Sequence, residues 1–194
     1  MTAETAGHVV VWSPDPIRQR LANYILEDVV NLPGDAPRVE LRDGVMIVVP
    51  SPSIDHQTIG SRLWMWLAQH APHEFLPVIA VGVAVGVKDT VEPDVLLIDR
   101  EVETKNHFVL ADQVTVAVEI VSPGTKRRDR LEKPMVYAAA GIPHFWRIEQ
   151  DPLHVFAYDL ENGSYRLVAE ASIDTDLVLS APFEIALPIR DIAP

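Results

Sequence analysis

The chain has 194 residues, a hydrophobic share of 48% and a formal net charge of −12. This length is enough for one well-buried domain and short for two, so we expect a single domain over residues 1–194. The negative charge argues against a protein that grips nucleic acid over its whole surface, although a local basic patch is compatible with it.

The sequence contains no cysteine. This excludes disulfides, thiolate nucleophiles and sulfur-ligated metals. A metal site would have to use carboxylates and histidines, and such oxygen-rich sites favour magnesium or manganese over structural zinc. No uninterrupted apolar stretch reaches the roughly eighteen residues of a membrane span, and the N-terminus lacks the blocks of an export signal. We therefore expect a soluble, cytoplasmic protein without a membrane partner.

Hydrophobic periodicity and turn residues predict alternating helices and strands, and therefore an α+β fold. Asp43-Gly44 and Asn162-Gly163 each stand between two strand-like runs, which is typical of a hairpin turn. In the first half we predict a helix over 15–30, hairpin strands over 38–41 and 45–49, a helix over 54–70, extended structure over 74–87 and a strand over 91–98. After a loop over 101–112 come a strand over 114–121, a helix over 129–140, a strand over 144–148, hairpin strands over 154–158 and 165–169, and one or two strands over 177–187. The core is expected at about 37–150, with a C-terminal β-meander extending it over about 151–190.

The strand over 114–121 carries a carboxylate among apolar residues. Alternate residues of a strand face opposite sides, and Glu119 shares its side with the small or apolar residues Thr115, Ala117 and Val121. An ionised carboxylate in such surroundings costs several kcal/mol unless a cation, a charged partner or several hydrogen bonds compensate it. Taken alone, an edge strand with Glu119 in water, or a plain buried ion pair, explains the pattern about as well as a functional site.

Two further acids stand near the ends of predicted strands. Asp94 follows a proline and precedes the apolar run over 95–98, so it enters a strand of the core, although alone it could be a turn residue. Glu40 lies just before the tight hairpin turn, where an exposed carboxylate is the ordinary expectation.

A basic segment directly follows Glu119, and Lys133 lies 14 residues after it. Phosphodiester hydrolysis uses this combination of charges. Carboxylates hold a magnesium-like ion that polarises a phosphoryl oxygen and lowers the pKa of a bound water, while a nearby Lys or Arg offsets developing negative charge. The candidate DNA-binding residues of the segment are Lys126, Arg127, Arg128 and Arg130.

Asp129, Lys133 and Tyr137 are spaced at four-residue intervals and would share one helical face, which could point back at the strand end. On spacing alone, a solvated surface with an intrahelical Asp129–Lys133 pair is the commoner arrangement, and such pairs contribute only about 0.3 to 0.5 kcal/mol.

Motifs in a fixed order connect these candidate residues. The run over 118–125 (VEIVSPGT) is followed by Asp129, Glu132-Lys133, the run over 137–143 (YAAAGIP) and Trp146, and is preceded by 39–45 (VELRDGV), Ser51-Pro52 through His56, and Glu92-Pro93-Asp94. This succession covers roughly residues 39–148 and resembles the signature of the Uma-two family of putative restriction endonucleases, a branch of the PD-(D/E)XK nuclease superfamily. Several ordered motifs make the resemblance far more specific than one short pattern.

The resemblance implies a restriction-endonuclease-like fold, with a mixed β-sheet core flanked by helices, and a metal-dependent DNA endonuclease. It implies that Asp94 and Glu119 bind the metal from adjacent strands and that Glu40 is an additional acid of the same site. Lys133 would stabilise the transition state. It also implies Mg²⁺ as cofactor, with Mn²⁺ as a substitute, DNA as partner, and a homodimer. Candidate supporting residues are His56, Asp129 and Tyr137.

Two positions qualify this prediction. Where the wider superfamily places a lysine, two residues after Glu119, this chain has Val121. Lys133 is the nearest replacement and could reach the same place from a helix packed across the strand end. Pro134 disfavours a helix interior at that point, so the helix either starts near Lys133 or is kinked there.

Two other functions stay open at the level of sequence. The acidic net charge and the missing strand lysine are compatible with a nuclease-fold binding or interaction module that lacks catalysis. Alternatively, His56 acts as general base or metal ligand of a hydrolase, or orients a water beside Glu40. A lone histidine in a first helical turn is, however, more often a capping or packing group.

Overall fold

The structure is a computed structural model that describes residues 12–103, 105 and 107–194. The prediction that the N-terminus carries no export signal falls mainly on residues 1–11, outside the described residues. The helices are α1 (Pro16–Leu21), α2 (Leu26–Val30), α3 (Ile54–His70) and α4 (Lys133–Ala139). The strands are β1 (Val39–Arg42), β2 (Val45–Val48), β3 (Phe75–Val78), β4 (Gly82–Gly86), β5 (Asp89–Val91), β6 (Val95–Asp99), β7 (Phe108–Leu110), β8 (Val114–Val121), β9 (His144–Gln150), β10 (Leu153–Glu161), β11 (Ser164–Ser172), β12 (Asp176–Leu179) and β13 (Ile185–Pro188).

The strands form a large mixed sheet, a second sheet and a small hairpin. The large sheet has the order β11-β10-β9-β8-β6-β3, in which β8 pairs parallel with β9 and antiparallel with β6. The second sheet has the order β2-β1-β5-β4-β7, and β12 pairs with β13. The α+β fold with a mixed sheet is therefore confirmed. Because β10 and β11 continue the large sheet, the C-terminal meander completes the same sheet that contains β8.

Helix α3 packs across the large sheet through one apolar stripe. Ile59, Leu63 and Leu67 recur at helical spacing and are buried against Val116 and Val118 of β8. Each such side chain, fully removed from water, contributes on the order of 2 kcal/mol. This packing fixes the first turn of α3 beside the start of β6. Within the described part of the chain, no helix combines the length and apolar character needed to cross a bilayer.

The predicted strand over 91–98 is wrong as a single element. Val91 ends β5 in the second sheet, and Val95 begins β6 in the large sheet. The three residues between them, Glu92-Pro93-Asp94, carry the chain from one sheet to the other. Pro93 has no amide hydrogen to donate, which favours an interruption of the ladder at this point. The second sheet is thereby joined to the large sheet directly beside Asp94.

Two predicted helices also differ from the structure. The helix predicted over 15–30 is broken at Ala22, whose φ of 49° is left-handed, and the amide of Tyr24 donates to the carbonyl of Gly44 instead. The helix predicted over 129–140 consists of a widened π-helical turn, Arg128–Glu132, followed by α4. Pro134 lies in the first turn of α4 and has no amide hydrogen to donate to the preceding π-helical turn. Part of the predicted loop over 101–112 forms β7, which pairs parallel with β4.

The remaining elements agree with the prediction. The hairpins β1–β2 and β10–β11 form around Asp43-Gly44 and Asn162-Gly163, and all four turn residues have positive φ. Gly44 is required for a second reason as well, because a Cβ atom there would collide with the carbonyl of Ala22. The helix over 54–70 and the strand over 114–121 have the predicted bounds.

Candidate active site

A cleft of about 310 Å³ opens beside the end of β8 and the start of β6. Its walls also come from β1, from the Glu92–Asp94 connection, from the first turn of α3 and from the segment after β8. Residues far apart in sequence therefore face one depression. The charged or titratable side chains that line it are Arg38, Glu40, His56, Glu92, Asp94, Glu119, Arg128, Asp129 and Lys133.

Glu119 is held at the base of this cleft by Lys133 and Tyr137. The Lys133 ammonium donates to both Glu119 oxygens, at 2.7 and 2.8 Å, and the Tyr137 hydroxyl donates to Oε1. Strand β8 lies between β9 and β6, and Glu119 is only 2% exposed. The alternative of an edge strand with Glu119 in water is thus excluded. Lys133 of α4 places its amine beside Glu119, whereas β8 itself has Val121 two residues after this acid.

Burial controls the protonation of this group. It raises the pKa of Glu119 to about 8, opposed by the Lys133 ammonium and reinforced by the neighbouring charges of Asp94 and Asp129. The pKa of Tyr137 also lies well above its ordinary value, first because of burial and then because of Glu119. Tyr137 therefore remains a neutral hydrogen-bond donor.

Glu40 is buried, contrary to the expectation of an exposed carboxylate before the turn. It is 1% exposed, and its Oε1 accepts the amide hydrogen of Glu92 at 3.0 Å and lies 3.3 Å from the Lys133 ammonium. The guanidinium of Arg128 pairs with its other oxygen. Because β1 pairs with β5, which leads into the connection to β6, the first hairpin carries Glu40 into the cleft.

Asp94 is fixed at the start of β6 by main-chain contacts with β8. Its amide donates to the carbonyl of Val118 at 3.0 Å, and its Oδ2 accepts the amide hydrogen of Ile120 at 2.7 Å. His56 Nε2 lies 3.3 Å from the same carboxylate oxygen, while Ser53 caps the helix that carries His56. The first turn of α3 therefore faces Asp94, and the role of His56 in orienting a water beside Glu40 stays a prediction.

Asp129 and Lys133 are both buried, with 3% and 7% exposure. The solvated intrahelical pair that spacing favours is thus excluded. The hydroxyl of Thr125 donates to Asp129, and it also lies 2.8 Å from the hydroxyl of Ser122. Burial raises the pKa of Asp129 above its ordinary value, and Lys133 opposes this. Sequence reasoning missed the roles of Ser122 and Thr125, which the Ser-Pro-Gly-Thr turn after the strand could have signalled.

The residues of the basic segment after β8 differ in their ion-pair partners and in their exposure. Arg128 pairs with Glu40, and Arg130 donates to both oxygens of Glu149 at 2.8 and 2.7 Å. Lys126 is exposed, and the side chain of Arg127 is 84% exposed although it lies 3.6 Å from Glu132. The predicted DNA-binding set is therefore split by the fold, because Arg128, Arg130 and Arg127 pair with acids of the protein, while Lys126 and most of the Arg127 side chain remain in solvent.

The donor chemistry of the cleft fits a hard divalent cation. Asp94 and Glu119 come from paired strands and line the same cleft, and Asp94 is close enough to raise the pKa of Glu119. Carboxylate oxygens are the ligands that Mg²⁺ prefers. Among the residues that the structure describes, no set of three side chains is already arranged around a cation position. Both oxygens of Glu119 face Lys133 instead, so a bound cation requires this amine to move.

Comparisons with known proteins show a family and a similar fold. The family model described as Uma2, putative restriction endonuclease, matches residues 26–190. The crystal structure of a putative nuclease belonging to DUF820, from Anabaena variabilis ATCC 29413, has a similar fold, with a TM-score of 0.69 and 19% identity over 87% of this chain and 96% of that one. No functionally curated protein matches the sequence significantly.

Proposed function

Because this chain belongs to the Uma2 family of putative restriction endonucleases, we propose that it is a metal-dependent endonuclease that hydrolyses phosphodiester bonds of DNA. One observation carries the proposal: the buried Glu119–Lys133 pair lies beside Asp94 at the base of an open cleft. A pair with only a structural role has no need of a second carboxylate or of access from solvent.

We assign Asp94 and Glu119 as the ligands of Mg²⁺, for which Mn²⁺ would substitute. The cation would supply Lewis acidity at a phosphoryl oxygen and a bound water of lowered pKa. Lys133 would place its positive charge beside the reacting phosphate, where negative charge develops. Glu40 and Tyr137 hold the amine and Glu119 in place, through the contact at 3.3 Å and through the tyrosine hydroxyl.

The DNA backbone would approach along the exposed part of the basic segment. Lys126 and Arg127 extend into solvent next to the cleft, whereas Arg128 and Arg130 set the local structure through Glu40 and Glu149. With a net charge of −12, the remainder of the protein repels a polyanion. Binding would therefore be confined to this face. The homodimer is proposed from the family resemblance alone.

A cleavage assay tests the enzyme. Purified protein is incubated with supercoiled plasmid and Mg²⁺ or Mn²⁺, and nicked and linear products are measured with and without a chelator. We expect cleavage that is lost in Glu119→Gln, which keeps the size and hydrogen-bonding capacity of the side chain. Glu161→Gln is the matched control, because Glu161 pairs with Arg166 on the exposed β10–β11 hairpin. Equal cleavage by both variants would assign the activity to a contaminant.

A second candidate is a binding module on the same fold without catalysis. It is favoured by the engagement of both Glu119 oxygens by Lys133, which leaves the carboxylate neutralised without a metal. Calorimetry with Mg²⁺ separates the two candidates. Saturable binding that is lost in Asp94→Asn supports the enzyme, and the absence of Mg²⁺ binding at millimolar concentration both in the parent and in Lys133→Met, where no amine occupies Glu119, supports the module.

A further inference from the structure

Lys133 occupies the position that a cation bound by Glu119 would take. Its ammonium lies 2.7 and 2.8 Å from the two Glu119 oxygens and 3.3 Å from Oε1 of Glu40, and it donates to the carbonyl of Glu92 at 3.5 Å. The side chain is only 9% exposed. An ammonium has three hydrogens to donate, and these acceptors satisfy them without water.

A divalent cation and this ammonium cannot share the two Glu119 oxygens. They would stand at contact distance in a buried region, where like charges repel far more strongly than in water. The cation must therefore displace the ammonium, which then loses its principal anion. A buried charge without a partner is strongly unfavourable, so displacement alone opposes binding of the metal.

The displaced ammonium needs a new anion within reach of the cleft. Of the carboxylates near Lys133, Glu40 is contacted by Arg128 and Glu92 lies 2.5 Å from Arg38. Asp129, which accepts from the Thr125 hydroxyl, is therefore the acid of the cleft that competes for the displaced ammonium. A phosphate oxygen of the substrate would supply the missing negative charge.

Resting on the proposed function, we infer that Lys133 makes cation binding in this cleft depend on a phosphodiester, by exchanging Glu119 for a phosphate oxygen when the cation enters. The coupling is reciprocal, because a phosphodiester that strengthens binding of the cation must be strengthened by the cation in equal measure. Lys133 is then both the amine that assists cleavage and the group that keeps the metal site closed without substrate.

Calorimetric titration with Mg²⁺ alone tests the first half of this inference. The parent protein is compared with Lys133→Met, which keeps the aliphatic stem, and with Lys105→Met, which removes the same charge from an exposed position. Titrations are repeated over a range of pH, because loss of the Lys133 charge raises the pKa of Glu119 further, and the proteins are compared where binding no longer depends on pH. We expect Lys133→Met to bind Mg²⁺ at least about tenfold more tightly than the parent, a difference of about 1.4 kcal/mol. Lys105→Met should bind as the parent does.

Binding of a fluorescein-labelled DNA duplex tests the second half. Anisotropy gives the Kd of the duplex with and without Ca²⁺, which replaces Mg²⁺ to prevent turnover, at ionic strength matched with NaCl. For the parent we expect Ca²⁺ to tighten binding of the duplex by about fivefold or more. In Lys133→Met the tightening should be clearly smaller. If circular dichroism shows that this variant is unfolded, Lys133→Gln replaces it in both experiments.

The outcomes separate this inference from the proposed function. Saturable Mg²⁺ binding with equal or lower affinity in the Lys133 variant overturns the inference and leaves the metal site intact. Absence of Mg²⁺ binding in the parent and in the variant overturns both. A duplex affinity that responds equally to Ca²⁺ in the parent and the variant overturns the exchange onto phosphate.

Discussion

Two ion pairs of this chain use similar groups in opposite surroundings. In the cleft, Lys133 contacts both oxygens of Glu119, and the two side chains are 9% and 2% exposed. On the β10–β11 hairpin, Arg166 donates to both oxygens of Glu161 at 2.7 and 2.6 Å, and the side chains are 58% and 48% exposed. The exposed pair contributes about 0 to 1 kcal/mol. The buried pair has lost its hydration. A substitution that removes one partner therefore leaves the other charge buried and uncompensated, which lowers the free energy of unfolding by more than the pair itself contributes.

Glu119→Ala should have the largest effect. It leaves the Lys133 ammonium buried without its main partner, so we expect a loss of about 3 to 5 kcal/mol in the free energy of unfolding together with the loss of cleavage. Urea denaturation followed by circular dichroism measures the first quantity. The double variant Glu119→Leu with Lys133→Met should regain most of the stability and none of the activity. A double variant as unstable as Glu119→Ala would contradict this account.

Asp94→Asn should separate activity from stability. Asparagine retains an oxygen that can accept from the amide of Ile120, so the free energy of unfolding should change little. The loss of one charged metal ligand should slow cleavage by about a hundredfold to a thousandfold. Asp159→Asn is the matched control, because Asp159 contacts His144 outside the cleft as Asp94 contacts His56 within it. Similar cleavage rates in the two variants would argue against a metal at Asp94.

Tyr137→Phe should have an intermediate effect. It removes the hydroxyl that donates to Glu119, and at a pH above the Glu119 pKa of about 8, where this group is charged, such a hydrogen bond contributes about 1.5 to 3 kcal/mol. Tyr165→Phe is the comparison, since that hydroxyl donates to the neutral carbonyl of Ile142 at 2.7 Å, and such bonds contribute about 0.5 to 1.5 kcal/mol. Thermal melts of both variants give the two values. A larger loss at Tyr165 would reverse the expected order.

The smallest effect is expected at the exposed pair. Glu161→Gln should change the free energy of unfolding by less than about 1 kcal/mol, and high salt should abolish the difference because exposed charges are screened. The stability of Glu119→Gln relative to the parent should depend much less on salt. Denaturation at low and high NaCl concentration makes this comparison. A salt dependence shared by both variants would mean that water reaches the Glu119–Lys133 pair.

The acids that sequence reasoning selected line one cleft, whereas the surroundings of these acids were predicted less well. Glu119 could be selected because a carboxylate among β-branched residues needs a partner, and Asp94 because it enters an apolar strand. The burial of Glu40 could not be predicted, since it depends on the pairing of β1 with β5, which begins at Asp89, 49 residues after Glu40. The residues of the basic segment look alike in sequence. Once the π-helical turn forms, however, Arg128 pairs with Glu40 and Arg130 pairs with Glu149.

The contact of His56 shows the same limit. Its position in the first turn of α3 follows from the Ser53 cap and the helical periodicity, both of which are local. Its partner, Asp94, is decided by how α3 packs on the large sheet.

By itself, the sequence determined the elements that local physics controls. Hairpin turns at Asp-Gly and Asn-Gly, the bounds of α3 and β8, and the unsuitability of Glu119 for an unpartnered core position all follow from backbone conformation and desolvation. Tertiary structure alone decided which charges meet. Lys133 and Glu119 are 14 residues apart, and Glu40 and Lys133 are separated by 93. Contacts over such distances depend on how the sheets and α4 pack together, which no local pattern specifies.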